Sequence, residues 1–220
     1  MNGPETTVLQ ELWVWTPFLL SGFAVNILIG ITAMVIGTGL GWCLALLRLS
    51  VRPRVVRLSL LVTEFTRNIP TMVFQFYLVF MLPSEFKLPG TSVTLGFPVW
   101  LVAALALAIA VVGFTSDNLT KALRDWRRGD HSVAFLFIPS WTSYMLIIVI
   151  ASSTASIIGV SELVSRCNTV VNATGRTGLM LPVYLYACAC FFLFCYPLTQ
   201  LMRKVHTRLA ARRPVGRAGP

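Results

Sequence analysis

Long apolar runs alternate with short polar connectors along this chain. The apolar runs are residues 18–47, 58–82, 98–114, 135–158 and 179–202. About 20 apolar residues in a helix cross a hydrocarbon core of about 30 Å, so each run is long enough, or nearly long enough, to span a membrane. The pattern therefore predicts an all-α, polytopic membrane helix bundle with five transmembrane helices.

The basic residues lie on alternate connectors, and this sets the expected orientation. Fourteen of the 18 Lys and Arg residues directly follow the first run, lie in the segment 118–134, or lie in the tail 203–220. Basic connectors tend to stay on the cytoplasmic side of a membrane. We therefore expect residues 1–17 to be a periplasmic N-terminal segment, 118–134 a cytoplasmic loop and 203–220 a basic cytoplasmic tail.

Composition supports a lipid environment. Hydrophobic residues make up 56% of the chain and charged residues 12%, against about 25% charged in soluble domains. The net charge of +10 is then explained by the basic connectors that orient the chain in a membrane. We therefore expect no nucleic-acid partner. The five cysteines have no metal-site spacing, so we expect no metal and no structural disulfide.

Small residues recur every fourth position in the first run. Ala33, Gly37, Gly41 and Ala45 share one helix face. Such a stripe lets a second helix approach closely. We expect it to be a helix-packing surface.

A few polar groups near the membrane faces are candidate structural or gate residues. Glu64 and Arg67 are three residues apart in the second run, so the spacing predicts an ion pair on one helix face. Pro70 predicts a kink in the same run. Asp117 follows the third run.

A hydroxyl-rich patch lies near the outer end of the fourth run. Ser152, Ser153, Thr154 and Ser156 could line a substrate path, or they could hydrogen-bond to their own helix or to a neighbouring helix. Glu162 follows, and we expect it to cap a helix or to face an external partner.

The motifs of the common enzyme classes do not occur. The sequence has no GxxxxGK[ST] phosphate loop, no GxSxG elbow and no HExxH pair. We therefore expect a protein that is not an enzyme and has no cofactor of its own.

Three segments resemble a known family. EFTRNIPTMVFQFYLVFMLP (64–83), ASIIGVSEL (155–163) and LGWCLALLRLS (40–50) are similar to segments of the polar amino-acid permeases, the histidine/glutamine-permease family of type I ABC importers. The resemblance implies a multi-pass subunit of the bacterial inner membrane that works by alternating access. It also implies four partners: a homologous second permease, two cytoplasmic ATPase subunits that bind ATP and Mg, and a periplasmic or extracellular substrate-binding protein.

The resemblance fails at the segment expected to contact the ATPase. That segment would be Trp126, Arg127, Arg128, Gly129, Asp130 and His131. The family has Glu-Ala-Ala and then a glycine here. In one alignment Ser132 replaces the glutamate and the connector is shortened, and in another Trp126 replaces the glycine.

A second departure lies before Ser152, where Ile150-Ala151 replaces a charged pair common in relatives. The two departures predict one half of a heteromeric permease pair with a degenerate coupling loop. The alternative is a non-transporting scaffold or regulatory membrane subunit with the same fold.

Overall fold

The structure, a computed structural model, describes residues 8–82, 85–87 and 94–211. Its helices are α1 (Val8–Arg48), α2 (Pro53–Asn68), α3 (Thr71–Met81), α4 (Val99–Arg127), α5 (His131–Ala134), α6 (Phe137–Ala151), α7 (Leu163–Thr174) and α8 (Met180–Ala211). Two 3-10 helices span Ser152–Ile158 and Thr177–Leu179. The predicted helical fold is confirmed. A short antiparallel pair of strands, β1 (Glu85–Lys87) and β2 (Thr94–Gly96), was not predicted.

Parts of the two predicted terminal segments lie outside the described residues. These parts are the first seven residues of the segment 1–17 and the end of the tail 203–220 beyond Ala211. Residues 8–17 belong to α1, and Pro17 lies inside this helix.

Four helical stretches of the described chain are long and apolar enough to cross a membrane. They are Val8–Arg48, Val99–Arg127, His131–Ile158 and Thr177–Ala211. The run 58–82, expected as one span with a kink at Pro70, breaks at that residue into α2 and α3. Ile69 is extended (φ −94°, ψ 129°), a conformation that the following proline favours. Pro70 also has no amide hydrogen to continue the helix.

Two segments expected as loops are helical. α4 continues to Arg127, so more than half of the segment 118–134 extends the third predicted span. Residues 163–174, expected as part of a polar loop, form α7. A polar segment can lie in water and still form a helix. Hydropathy alone therefore did not predict where these helices begin and end.

α4 is central to the bundle, since it packs against α1, α2, α3 and α6. Its closest partner is α1, and the predicted small-residue stripe lies at that contact. Ala33, Gly37, Gly41 and Ala45 are all buried. A Cβ atom on Gly37 would lie 2.4 Å from the Cβ of Val111, and one on Gly41 would lie 2.6 Å from the Cβ of Thr115.

A second apolar cluster joins the N-terminal part of α1 to α7 and α8. Leu19, Leu163, Cys167 and Val183 are at its centre and are fully buried. Gly159 directs the chain toward this cluster, because it ends the 3-10 helix at a φ of 90°, where a side chain would be strained. The bundle therefore has one core around α1 and α4 and another around α7.

We predict that Gly37→Ala destabilises the protein, because even a methyl group overlaps Val111 and the carbonyl oxygen of Ala108. Overpacking of this kind costs about 1–3 kcal/mol. Thermal unfolding of the detergent-purified variant should show a lower midpoint. Gly39→Ala is the matched control, since no atom lies within 4 Å of a Cβ built there. Equal midpoints for the two variants would contradict the close contact.

Candidate functional site

Asp117 of α4 binds two arginines from two other helices. Its Oδ1 accepts a hydrogen bond of 2.5 Å from Arg48 Nη1, at the end of α1. Its Oδ2 accepts from Arg67 Nη1, in the last turn of α2. The side chain of Arg48 is 8% exposed and that of Arg67 is 59% exposed. The Arg48–Asp117 pair is therefore the buried half of this three-helix ion cluster.

Hydroxyl groups complete the surroundings of Arg48. Its Nη2 donates to the hydroxyl of Thr63 at 2.6 Å. The Thr63 hydroxyl lies 2.8 Å from the carbonyl oxygen of Ser59 and 3.0 Å from the hydroxyl of Ser116. Ser59, Thr63 and Ser116 are all buried, so the charged cluster continues into a polar seam between α2 and α4.

The expected ion pair between Glu64 and Arg67 is wrong. Arg67 binds Asp117 instead, and Glu64 is exposed. Arg67 lies four residues after Thr63 and therefore shares its helix face, which packs against α4. Glu64 lies about 100° around the helix from Thr63. The local spacing suggested a partner, but the helix–helix contact determines which residue Arg67 meets.

A polar cavity of about 550 Å³ lies beside the α2–α3 break. Its lining comes from the end of α2, the start of α3, α4 and α6: Thr66, Arg67, Ile69, Thr71, Ala110, Phe114, Asp117, Asn118, Lys121 and Tyr144. Phe114 and Tyr144 stack with ring centroids 3.9 Å apart. The Tyr144 hydroxyl donates to the carbonyl oxygen of Ala110 at 3.3 Å. Ile69 and Thr71, on either side of Pro70, contribute to the cavity lining opposite α4.

Sequence reasoning named Arg67 and Asp117 but did not bring them together, and it did not single out Lys121 or Tyr144. One signal was available, since Asp117 and Lys121 are four residues apart and fall on one face if α4 continues. Nothing in the local sequence marks Tyr144, which α6 contributes from a distant part of the chain.

A second buried polar group lies at the start of α7. Of the two roles expected for Glu162, the structure shows the helix cap: its carboxylate accepts from the amides of Val164 (3.0 Å) and Ser165 (2.8 Å). Asn26 of α1 donates to Glu162 Oε2 and to Ser152 Oγ, both at 2.9 Å. Burial raises the pKa of the Glu162 carboxyl above its ordinary value, while these hydrogen bonds act in the opposite direction. Asn26 was missed because a lone asparagine in an apolar run has no pattern.

The hydroxyl-rich patch mainly satisfies its own helix. Ser153 donates to the carbonyl oxygen of Ile150 at 2.8 Å, and Ser156 donates to that of Ser153 at 2.9 Å. Thr154 lies within hydrogen-bond distance of the carbonyl oxygen of Ala151 (2.8 Å) and of Gln75 Oε1 (3.1 Å). None of these residues lines the polar cavity beside the break, and their role in a substrate path stays a prediction.

The segment expected to contact an ATPase forms a tight connection. α4 ends at Arg127, Gly129 has a φ of 86°, and α5 begins at His131. The exposed Trp126 packs against the rings of His131 (4.2 Å between centroids) and Phe135 (5.6 Å). Arg127, Arg128 and Asp130 are exposed. The surface role of this segment stays a prediction.

Metal-site geometry does not occur in the described ranges. Residues 8–82, 85–87 and 94–211 contain no group of three or more His, Cys, Asp or Glu side chains that could hold a metal ion. All five cysteines lie in these ranges as free thiols.

We predict that Asp117→Asn lowers the free energy of unfolding by about 3–5 kcal/mol, because it leaves the buried guanidinium of Arg48 without an anion. Denaturant unfolding of the protein in mixed micelles measures this loss. Asp125→Asn in the same helix is the matched control, since Asp125 makes no ion pair with any described residue. A loss no larger than that of the control would mean that Asp117 does not hold Arg48.

Comparison with known proteins shows the fold. No family model matches the sequence, and no curated protein matches it. A crystal structure of an amino acid ABC transporter with histidines matches with a TM-score of 0.75 and 16% sequence identity. The match covers 94% of this chain and 100% of the other. The chain therefore shares its fold with a chain of an amino acid ABC transporter.

Proposed function

We propose that this chain is a permease subunit of an ATP-driven importer for a polar amino acid or a related small zwitterion. The observation that carries the proposal is the fold similarity over 94% of the chain to an amino acid ABC transporter. The motifs at 64–83 and 155–163 support it independently, because they resemble segments of polar amino-acid permeases. The proposed location is a bacterial plasma membrane.

The proposed topology has five crossings. α2 and α3 together form the broken second crossing, and the four apolar helical stretches form the others. Arg54 and Arg57 in the first turns of α2 favour a start at the cytoplasmic face. The N-terminus is then outside and the C-terminus inside.

The proposed partners follow from the transport role. They are a homologous second permease, two cytoplasmic ATPase subunits that bind ATP and Mg, and an external substrate-binding protein. Exposed apolar side chains on α3, including Val73, Tyr77 and Phe80, are compatible with contact to a second permease or to lipid. In this proposal the chain itself binds no cofactor.

The proposed mechanism is alternating access driven through α4. Closure of the ATPase subunits would move the segment Trp126–His131, which begins in the last turn of α4. Because Asp117 ties α4 to Arg48 of α1 and Arg67 of α2, these parts of the three helices would move as one body. Rigid-body movement of this kind is a common way to open and close a bundle.

A second candidate is a scaffold or regulatory subunit with the same fold. Its supporting observation is the small connector between α4 and α6. α5 has four residues, and only Arg128, Gly129 and Asp130 separate it from α4. Such a connector offers little surface for an ATPase.

We predict that the tagged chain co-purifies from native membranes with an ATPase and a second permease, and that amino acids stimulate ATP hydrolysis by the complex. Replacing Trp126–His131 by a Gly/Ser linker of equal length should reduce this stimulation about tenfold, equivalent to about 1.4 kcal/mol of coupling. Replacing Val51 and Arg52 in the α1–α2 connector by Gly and Ser is the control and should leave it unchanged.

Absence of an ATPase from the purified complex would favour the scaffold and contradict the importer. Full stimulation in the linker variant would show that Trp126–His131 is not needed for coupling.

A further inference from the structure

The polar cavity beside the α2–α3 break contains three charged side chains. Arg67 and Asp117 form an ion pair at its wall, and Lys121 lies one helical turn beyond Asp117. Both carboxylate oxygens of Asp117 already accept a hydrogen bond, one from Arg48 and one from Arg67. Asp117 is therefore neutralised, and the cavity and its immediate surroundings have an excess of positive charge.

Unused hydrogen-bonding capacity in the cavity consists mainly of cationic donors. Lys121 is exposed and has no ion pair or hydrogen bond with any described residue, and an ammonium group has three N–H donors. Arg67 is more than half exposed and uses Nη1 for Asp117, so it has further N–H donors. Two cationic side chains at one cavity favour a carboxylate or phosphate ligand.

The uncharged polar side chains of the lining are weaker hydrogen-bond acceptors than a carboxylate. The hydroxyls of Thr66 and Tyr144 donate to backbone carbonyl oxygens. Asn118 Nδ2 donates to the carbonyl oxygen of Phe114 at 2.9 Å, which leaves its Oδ1 as an acceptor. An amide oxygen can accept a hydrogen bond from the ammonium group of a zwitterion, but it does not balance a second positive charge.

The size of the cavity suits a small solute. Its volume of about 550 Å³ lies within the range of about 300–1,000 Å³ that is typical of small-molecule sites. The stacked rings of Phe114 and Tyr144 give it one apolar wall.

We infer that this cavity binds a small carboxylate-bearing solute through Lys121 and Arg67, and that it favours anionic over cationic amino acids. This inference rests on the proposed transport function, for which it names the charge class of the solute on its path through the bundle. Repulsion from Lys121 and Arg67 disfavours an arginine or lysine solute, because Asp117 is the one carboxylate among the described lining residues and already pairs with Arg48 and Arg67.

The test is a binding measurement on the full chain in phosphatidylcholine nanodiscs, without ATPase or binding protein. Equilibrium dialysis with labelled L-glutamate and L-arginine should give at least about tenfold tighter binding of glutamate, a difference of about 1.4 kcal/mol. Lys121→Gln should weaken glutamate binding about tenfold, and Lys121→Arg should restore most of it. Arg124→Gln is the matched control, since Arg124 is exposed on the same helix but does not line the cavity.

Equal affinities for glutamate and arginine would overturn the inference, and so would an unchanged glutamate affinity in Lys121→Gln. Inorganic phosphate, or nanodiscs containing phosphatidylglycerol, should compete poorly. Competition as strong as that of unlabelled glutamate would assign the cavity to phosphate or to a lipid headgroup instead.

The cavity and the proposed function fail in different ways. Glutamate binding with no co-purifying ATPase would keep the cavity site and reject the importer. Amino-acid-stimulated hydrolysis by a complex whose chain binds no glutamate would keep the importer and reject the cavity site.

Discussion

The buried ion pair between Arg48 and Asp117 constrains the arrangement of this bundle most strongly. A guanidinium that is 8% exposed needs an anion nearby, because an unpaired charge in a low-dielectric interior costs several kcal/mol. Asp117 supplies that anion and so fixes how far α1 slides along α4. Its second oxygen binds Arg67, and the end of α2 is thereby held at the same level.

This pair can form because the backbones of α1 and α4 lie close together. Gly37 and Gly41 leave no room for a Cβ against Val111 and Thr115, and in lipid such close packing is a main source of helix association. The glycine contact and the ion pair lie on the same side of α1, about two turns apart. Small residues therefore set the distance between the helices, and charge sets their register.

The break at Pro70 has a consequence beyond local geometry. The extended Ile69 separates α2 from α3, and the polar cavity lies at this break, next to the ion cluster. The chain thus places the cationic side chains of Arg67 and Lys121 beside a stretch of irregular backbone.

Hydropathy predicted the helical fold well, because each long apolar run must form a helix in lipid. It treated 58–82 as one span, and only Pro70 indicated a kink at the point where the chain divides into α2 and α3. The spacing of Glu64 and Arg67 suggested a pair, but Asp117, 50 residues away along the chain, is the real partner. Asn26 and Tyr144 gave no signal because their roles depend on contacts between distant elements.

The most direct test of the account is a double-mutant cycle on Arg48 and Asp117, with Arg48→Met, Asp117→Leu and both together. We expect each single variant to lower the free energy of unfolding in mixed micelles. The double variant should lose less free energy of unfolding than the two single variants lose together, with a coupling energy of about 1–3 kcal/mol. Strictly additive losses would contradict the account, because they would mean that the two side chains do not stabilise each other in the folded bundle.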